Sequence, residues 1–255
     1  MPISGKLIDE IEQKMIKIQA SDSPEYFLKR SQRIKKDLRR ICDVYSFWLE
    51  NPDLRMKILN VNHETDPRRL RKIAREGVSN IRMAWDYLHA KQFGDSFIKY
   101  INSDMILEVG KLVQPQQNAK GFREKRVSLG LDYTPPNPLK VPLLVENACY
   151  ELRESDYHPV EAAAIIHLDL AGIQPFIDGN KRTARLFQDR ILTDAGLPPA
   201  VIPVGEREAY IDLIEQALIG KRDRNLKLQR PFFDYIGGKV NVALDEIIGD
   251  LRIRA

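Results

Sequence analysis

Cysteine is scarce in this sequence, which has only Cys42 and Cys149 among its 255 residues. Two cysteines so far apart indicate neither a disulfide framework nor a paired-cysteine metal site, so a reducing compartment is expected. Long apolar stretches are missing too, since nowhere do about 18 apolar residues run together as a membrane span requires. The first residues, MPISGKLIDEIEQK, are amphipathic and carry charges early, which does not suit an export signal. These absences favour a cytoplasmic protein with no membrane partner.

A large excess of one charge is also missing, because 40 Lys and Arg face 36 Asp and Glu and leave a net charge of +4. That balance is too small to indicate a polyanionic partner. Basic residues do cluster at 28–40 and 68–75, but helical spacing would spread them over solvated faces. Neither run comes with interleaved aromatics or a DNA-binding motif, so nucleic acid is not an expected partner.

Apolar residues recur at helical spacing along most of the chain, and 43% of the residues are hydrophobic, enough for a sizeable core. The pattern predicts helices at 7–18, 25–49, 67–76, 79–91, 94–101, 103–112, 138–155, 158–173, 207–219 and 232–253, with one more after Gly179. A break is expected near Gly77. The stretch RVSLGLDYTPPNP at 126–138 has β-forming residues and then prolines, which predicts a short hairpin. The fold class is therefore mainly α.

The stretch QPFIDGNKRTAR, at 174–185, lies between two predicted helices and has the features of a helix start. Pro175 blocks continuation of the preceding helix, Gly179 frees the backbone, and Asn180 is expected to cap a helix that begins near Lys181. The N–H groups at such a start are unpaired and carry partial positive charge, so they bind anions.

Charged side chains reinforce this predicted anion site. Lys181, Arg182 and Arg185 add positive charge on the first turns of the helix, and Asp178 stands where a carboxylate can hold a magnesium ion that bridges phosphate oxygens. The residues alone thus predict a polyphosphate site, with ordinary surface ion pairs of the arginines as the alternative.

This stretch resembles the signature of the Fic family, His-Pro-Phe-x-Asp/Glu-Gly-Asn-Gly/Lys-Arg-x-x-Arg, with Gln174 in place of the first histidine. The resemblance extends from about Met105 to Ile236, because AKGFREKRVSL and DYTPPNPLKVP resemble the family's flap and its proline-rich exit, and AYIDLIEQAL resembles its penultimate helix. It implies a Fic-fold helical bundle with a short β-hairpin flap. The expected division is an N-terminal helical extension at 1–62, a Fic core at 63–240 and the end of a C-terminal helix at 241–255.

The resemblance implies a protein adenylyltransferase, which binds ATP with Mg²⁺ and transfers AMP to a serine, threonine or tyrosine hydroxyl of a target protein. The site residues that it implies are Asp178 as magnesium ligand, Gly179, Asn180 and Lys181 as anion nest, and Arg182 and Arg185 on the distal phosphates. The flap residues that would register the target as an added strand are Val127, Ser128, Leu129 and Tyr133. Since Fic relatives often self-associate, a homodimer is also expected.

Gln174 departs from the family's pattern at the position of the catalytic base. A glutamine amide cannot accept a proton at accessible pH, so a loss of roughly 100-fold or more in rate is expected. The chain is then either an impaired transferase or a catalytically silent module that binds nucleotide or protein. A natural loss of the base and an introduced replacement of histidine both fit the sequence. His167 could replace the base, but its place in an apolar helix is typical of a core residue.

Two further positions leave the activity open. Lys181 stands where most AMP-transferring relatives have a second glycine, and the same lysine occurs in relatives that resemble the phosphate-transferring branch. Gly179, where that branch often has alanine, argues the other way. AMP transfer and phosphate transfer therefore both remain candidates.

Many Fic relatives carry an inhibitory helix with the motif Ser/Thr-x-x-x-Glu-Gly/Asn, whose glutamate contacts the second motif arginine. Glu76 and Gly77 resemble the end of this motif, upstream of the core at about the expected distance, although the serine or threonine is absent. Glu76 is therefore the candidate regulatory residue, as a clamp on Arg185. A local ion pair is the more frequent arrangement for a glutamate on a basic helix and is the alternative.

Overall fold

The computed structural model describes residues 3–19, 24–59, 66–90, 96–129 and 132–252. Its α-helices are α1 (Gly5–Gln19), α2 (Pro24–Glu50), α3 (Pro52–Leu59), α4 (Pro67–Ala90), α5 (Ser103–Val113), α6 (Pro115–Asn118), α7 (Val141–Arg153), α8 (Pro159–Ile173), α9 (Asn180–Asp194), α10 (Arg207–Arg222) and α11 (Leu226–Arg252). Short 3₁₀ helices lie at Phe97–Tyr100, Pro138–Lys140 and Val204–Glu206. The described residues contain no strand, so the predicted mainly α class is confirmed.

Helices α8 and α9 pack against each other at the centre of the fold. Nearly every residue of α8 is buried, and its alanines at 162–164 let neighbouring helices approach closely. The loop from Gln174 to Gly179 connects the two helices, and the buried ring of Phe176 fixes this loop to the core. Although α8 is almost fully buried, no helix within the described residues is both long and apolar enough to cross a membrane.

The N-terminal helices pack onto the same core. Helix α1 lies against α11, and α2 lies against α4, α9 and α11, so the last turn of α2 reaches the central helix pair. The domain boundary predicted at residue 62 falls outside the described residues, and α11 continues through the boundary predicted at 240. The important consequence for function is that α2 covers one side of α9.

Helix α4 is continuous, so the predicted break near Gly77 is wrong. A Cβ at Gly77 would lie 2.1 Å from the ring of Phe47, which shows that this glycine lets α2 approach α4. Burial of the Phe47 side chain contributes about 2–3 kcal/mol, more than the roughly 1 kcal/mol that a glycine costs inside a helix. The helix predicted at 94–101 is instead the 3₁₀ helix Phe97–Tyr100, and residues 94 and 95 lie outside the described range.

The predicted flap hairpin is not seen in residues 126–129 and 132–138, and residues 130 and 131 lie outside the described part of the chain. Prolines at 135, 136 and 138 have no N–H to donate to a partner strand of a hairpin. The Asp132 N–H donates to the Glu215 carboxylate at 2.5 Å rather than to a neighbouring strand. The flap segment is therefore held by side chains from the rest of the fold.

Candidate functional site

The backbone of the α8–α9 loop is set by Gln174 and Gly179. Gln174 adopts the left-handed region with φ of 50°, and its N–H donates to the Leu170 carbonyl, which ends α8. Gly179 has φ of 83°, and a Cβ there would lie 2.9 Å from Val113 Cγ1. A side chain at 179 would meet both backbone strain and a clash, so glycine is required for this turn.

The side chain of Gln174 braces the loop from inside. Its Nε2 donates to the Ala171 carbonyl at 2.6 Å, and its Oε1 accepts from Asn180 Nδ2 at 2.9 Å. Asn180 also donates to the Phe176 carbonyl and accepts from the Phe176 N–H. The prediction that Asn180 caps the next helix is wrong, because α9 begins at Asn180 itself and this side chain points back into the loop.

The start of α9 has backbone donors that could serve an anion. Gly179 is its N-cap residue and no side chain caps the helix, so the N–H groups of the first turn keep their donor capacity. Asp178 Oδ2 pairs with Arg182 Nη2 at 2.8 Å, while Asp178 Oδ1 accepts the Gly179 N–H at 2.6 Å. The Asp178 side chain is 44% exposed and that of Arg182 is 5% exposed. The predicted magnesium ligand and a predicted phosphate ligand therefore lie side by side.

Arg185 is buried, and its guanidinium is held by residues of α2 and α10. Its Nε donates to Ser46 Oγ at 2.9 Å, its Nη1 donates to the Tyr210 hydroxyl at 2.9 Å, and its Nη2 donates to the Ser46 carbonyl and to Glu50 Oε1, both at 3.0 Å. The space that remains between α2 and α9 here is about 10 Å³, which is room for about one water molecule. A phosphate group therefore does not fit into this cavity.

Glu50 carries the carboxylate that occupies this cationic site. Its Oε2 lies 3.1 Å from Lys181 Nζ, and its Oε1 pairs with Arg185. Burial alone would raise the pKa of Glu50, but the charges of Arg185 and Lys181 outweigh burial and hold the pKa below its ordinary value. The carboxylate is therefore ionised at neutral pH and occupies the site as an anion.

The predicted clamp of Glu76 on Arg185 is wrong. The Glu76 side chain is 62% exposed and lies 3.8 Å from Lys72 on the same helix, which is the local ion pair considered as the alternative. The glutamate that reaches Arg185 is Glu50, at the end of the sequence Ser46-Phe-Trp-Leu-Glu50-Asn51. This hexapeptide satisfies every position of the inhibitory motif Ser/Thr-x-x-x-Glu-Gly/Asn, so the signal was present in the sequence.

A buried chain of hydrogen bonds continues from Arg185 across the core. The Tyr210 hydroxyl donates to His167 Nε2 at 2.8 Å, and His167 Nδ1 donates to Gln188 Oε1 at 2.5 Å. Gln188 in turn donates to Asp189 at 3.1 Å. Burial lowers the pKa of His167 to about 3, so the ring stays neutral with both nitrogens occupied. His167 is therefore a satisfied core residue in this structure.

The far end of this chain returns to α2. Arg39 bridges Asp189 at 2.8 Å and Asp43 at 2.6 Å, and its guanidinium lies over the ring of Trp85. Among the described residues, helix α2 is thus joined to α9 at two places, by Arg39 with Asp189 and by the last turn of α2 with Lys181 and Arg185. These contacts fix the position of the hexapeptide at 46–51.

Arg123 ties the flap to the α8–α9 loop, a role that the sequence did not reveal. Its side chain donates to four carbonyl oxygens, those of Lys125, Pro136, Ile173 and Gln174. Its N–H donates to the Pro175 carbonyl at 2.9 Å. Of the predicted flap residues, Ser128 is exposed, and those that are half-buried are Val127, Leu129 and Tyr133. One arginine therefore holds both ends of the flap against the loop.

Comparison with known proteins points to the same stretch of chain. Residues 92–192 match the model of the Fic/DOC family. The chain is 31% identical over 167 residues to the protein adenylyltransferase Fic of Drosophila ananassae. That similarity covers 59% of this chain and 32% of the relative, so the chain spans about a third of the length of this curated protein.

Solved structures share the fold at low identity. A fragment of Fic-1 from C. elegans superposes with a TM-score of 0.73 at 22% identity, covering 98% of this chain and 73% of that one. A Fic-domain signaling protein from Bacteroides thetaiotaomicron superposes with a TM-score of 0.67 at 18% identity, covering 95% of both chains. These likenesses show the fold, and they include the N-terminal helices beyond the family match.

Proposed function

We propose that this chain, whose residues 92–192 match the model of the Fic/DOC family, is a Fic-type protein adenylyltransferase whose site is restrained by Glu50 and limited by Gln174. The observation that carries the proposal is the Glu50 carboxylate, which occupies Lys181 and Arg185 as a bound anion would. Cations placed to hold a carboxylate at this position are also placed to hold the phosphates of a nucleotide.

The phosphates of ATP would bind at the open start of α9. Its first-turn N–H groups carry partial positive charge, and Arg182 adds a fixed charge beside them. The Arg182 Nε is buried and has no hydrogen-bond acceptor among the described residues. A phosphate oxygen would satisfy this donor, which supports the assignment of Arg182 to the nucleotide.

Magnesium fits this site only together with the nucleotide. Asp178 offers one exposed carboxylate, and the described part of the chain has no group of three His, Cys, Asp or Glu side chains that could hold a metal by themselves. Because Mg²⁺ is commonly bound by one or two carboxylates plus substrate phosphates, Asp178 would hold the ion against the ATP. When bound, the ion would supply neutralisation of the phosphate charge.

The transfer step defines what the site lacks. A target hydroxyl oxygen forms a bond to the α-phosphorus, the bond from that phosphorus to the bridging oxygen breaks, and pyrophosphate leaves. The hydroxyl proton then needs an acceptor, which neither the amide of Gln174 nor the occupied ring of His167 supplies. We therefore expect ATP binding to survive in this chain while AMP transfer is slow.

The acceptor of AMP would be a serine, threonine or tyrosine hydroxyl on another protein. This part of the proposal is supported by the flap, which Arg123 holds beside the loop that would bind the α-phosphate. It is also supported by the similarity of the chain to the protein adenylyltransferase Fic of Drosophila ananassae. A homodimer and a cytoplasmic location remain predictions from the sequence.

Phosphate transfer is a second candidate, because Lys181 places a charge where AMP-transferring relatives have glycine. Its ammonium lies within ion-pair distance of Glu50, so it would meet the distal phosphates once the carboxylate leaves. The position of the label in ATP distinguishes the two reactions.

The test is transfer of isotope from ATP to protein by four chains in cell lysate with magnesium. They are the unaltered chain, Gln174→His, Glu50→Gly and the double variant. We expect label from the α-phosphate with Gln174→His, more label with the double variant, and little with the other two. Label transferred only from the γ-phosphate would replace AMP transfer by phosphate transfer, and no label with any chain would contradict both.

A further inference from the structure

Glu50 is held by two cations that lie one helical turn apart on α9. Lys181 and Arg185 are four residues apart, so both side chains leave the same face of the helix. Each contacts a different carboxylate oxygen, Lys181 at Oε2 and Arg185 at Oε1. The carboxylate therefore bridges the two cations.

The two cations differ in how much they depend on Glu50. Arg185 keeps three other hydrogen bonds, two to Ser46 and one to Tyr210, so its guanidinium stays fixed even without the carboxylate. The described contacts of the Lys181 ammonium are those with Glu50. Lys181 therefore loses its anchor whenever Glu50 leaves, and its flexible stem can then turn toward another anion.

The pair of Lys181 and Glu50 is sheltered enough to matter. Their side chains are 21% and 16% exposed, far less than the 78% and 62% of the Lys72–Glu76 pair on α4. Water and salt screen a sheltered pair less than an exposed one. A nucleotide must compete with Glu50 for both cations.

We propose that Lys181 is a second anchor of the inhibitory glutamate, a positioning residue that holds Glu50 in the closed site and passes to the nucleotide phosphates when the site opens. The second half of this inference, in which Lys181 binds the nucleotide phosphates, rests on the proposed function, because it requires ATP to bind once Glu50 has left the site. Its first half, the closed anchor, concerns only residues of this chain.

The closed anchor is tested without nucleotide, by urea unfolding of a double-mutant cycle. The chains are unaltered, Lys181→Met, Glu50→Gln and both, because methionine and glutamine keep the side-chain size and remove the charge. We expect the two changes to couple, so that Lys181→Met lowers the folding equilibrium constant about three- to ten-fold more with Glu50 present than with Glu50→Gln. Lys72→Met is the matched control and should show no coupling to Glu50→Gln. Equal effects of Lys181→Met in both backgrounds would overturn the proposal.

Calorimetric titration of the same chains with Mg-ATP tests the second half. Lys181→Met should reduce ATP affinity about three- to ten-fold more in the Glu50→Gln background than in the unaltered background. In the unaltered chain Lys181 is paired with Glu50, whereas in Glu50→Gln it is free to bind phosphate. An equal loss in both backgrounds would contradict the passage of Lys181 to the nucleotide. If no chain binds ATP, the proposed function and this second half fail, while the unfolding cycle still decides the anchor.

Discussion

The carboxylate of Glu50 lies 3.0 Å from the guanidinium of Arg185, although 135 residues separate them in the chain. Helix α2 brings the two together, because its last turn packs on α9 and places Ser46 and Glu50 on the same arginine. The contact closes the region where the distal phosphates of ATP would bind. Helix α2 is therefore part of the functional site as well as of the fold.

The neutral state of His167 predicts how stability depends on pH. Its pKa is about 3 in the folded chain and would be about 6.5 in the unfolded chain. As pH falls below about 6.5 the unfolded chain binds a proton that the folded chain does not, so the folded state loses stability. Between pH 7 and pH 5.5 His167 should remove about 1 kcal/mol from the free energy of unfolding.

Chemical denaturation at the two pH values measures this loss. His89, whose pKa burial lowers to about 4, adds a loss in the same direction. The variant His167→Gln should therefore lose the part due to His167 and show a clearly smaller dependence on pH. An unchanged dependence would mean that His167 is protonated in the folded protein.

Arg39 should be one of the most sensitive positions in the N-terminal helices. Arg39→Met leaves the buried carboxylate of Asp189 without its cation, while Asp43 keeps Arg82 at 3.6 Å, and the loss should cost about 3–5 kcal/mol. The adjacent Arg40 is exposed and pairs with exposed Asp37, so Arg40→Met should change stability by less than about 0.5 kcal/mol. Equal losses in the two variants, measured by urea unfolding, would contradict the conclusion that Arg39 anchors α2 to α9.

Replacing Arg123 by lysine should loosen the flap. A lysine cannot reach the four carbonyl oxygens that the guanidinium serves, so unsatisfied acceptors should cost about 2–3 kcal/mol. Hydrogen exchange should accelerate in the flap at 122–137 and in the loop at 174–179, more than in α11. The neighbouring Arg126 is exposed, and Arg126→Lys should leave exchange unchanged. Uniform acceleration along the chain would indicate general destabilisation instead.

The turn between α8 and α9 could be predicted from the sequence because its requirements are local. Pro175 and Gly179 determine the turn wherever the loop sits in the fold, and the charges that follow them lie within two helical turns. Helix α4 shows the opposite case. Its continuity through Gly77 depends on the ring of Phe47, which belongs to another helix, so local sequence predicted a break.

The contacts of Glu50 and Arg123 depend on distant parts of the chain. Glu50 had a local signal, since Ser46 and Asn51 complete the inhibitory motif, whereas Glu76 satisfied only part of it. The choice between them required knowledge of which helix packs on α9. Arg123 had no such signal, because the carbonyl groups that it binds are identified only by the folded backbone.

The most direct test of the account is calorimetric titration with Mg-ATP of the unaltered chain, Glu50→Gly and Glu76→Gly. If Glu50 occupies the phosphate site, Glu50→Gly should bind ATP about 10- to 100-fold more tightly, the usual size of coupling between competing interactions. Glu76→Gly should match the unaltered chain, because Glu76 pairs with Lys72 on the surface. Equal ATP affinity of all three chains, or tighter binding only with Glu76→Gly, would contradict the central claim that Glu50 closes the nucleotide site.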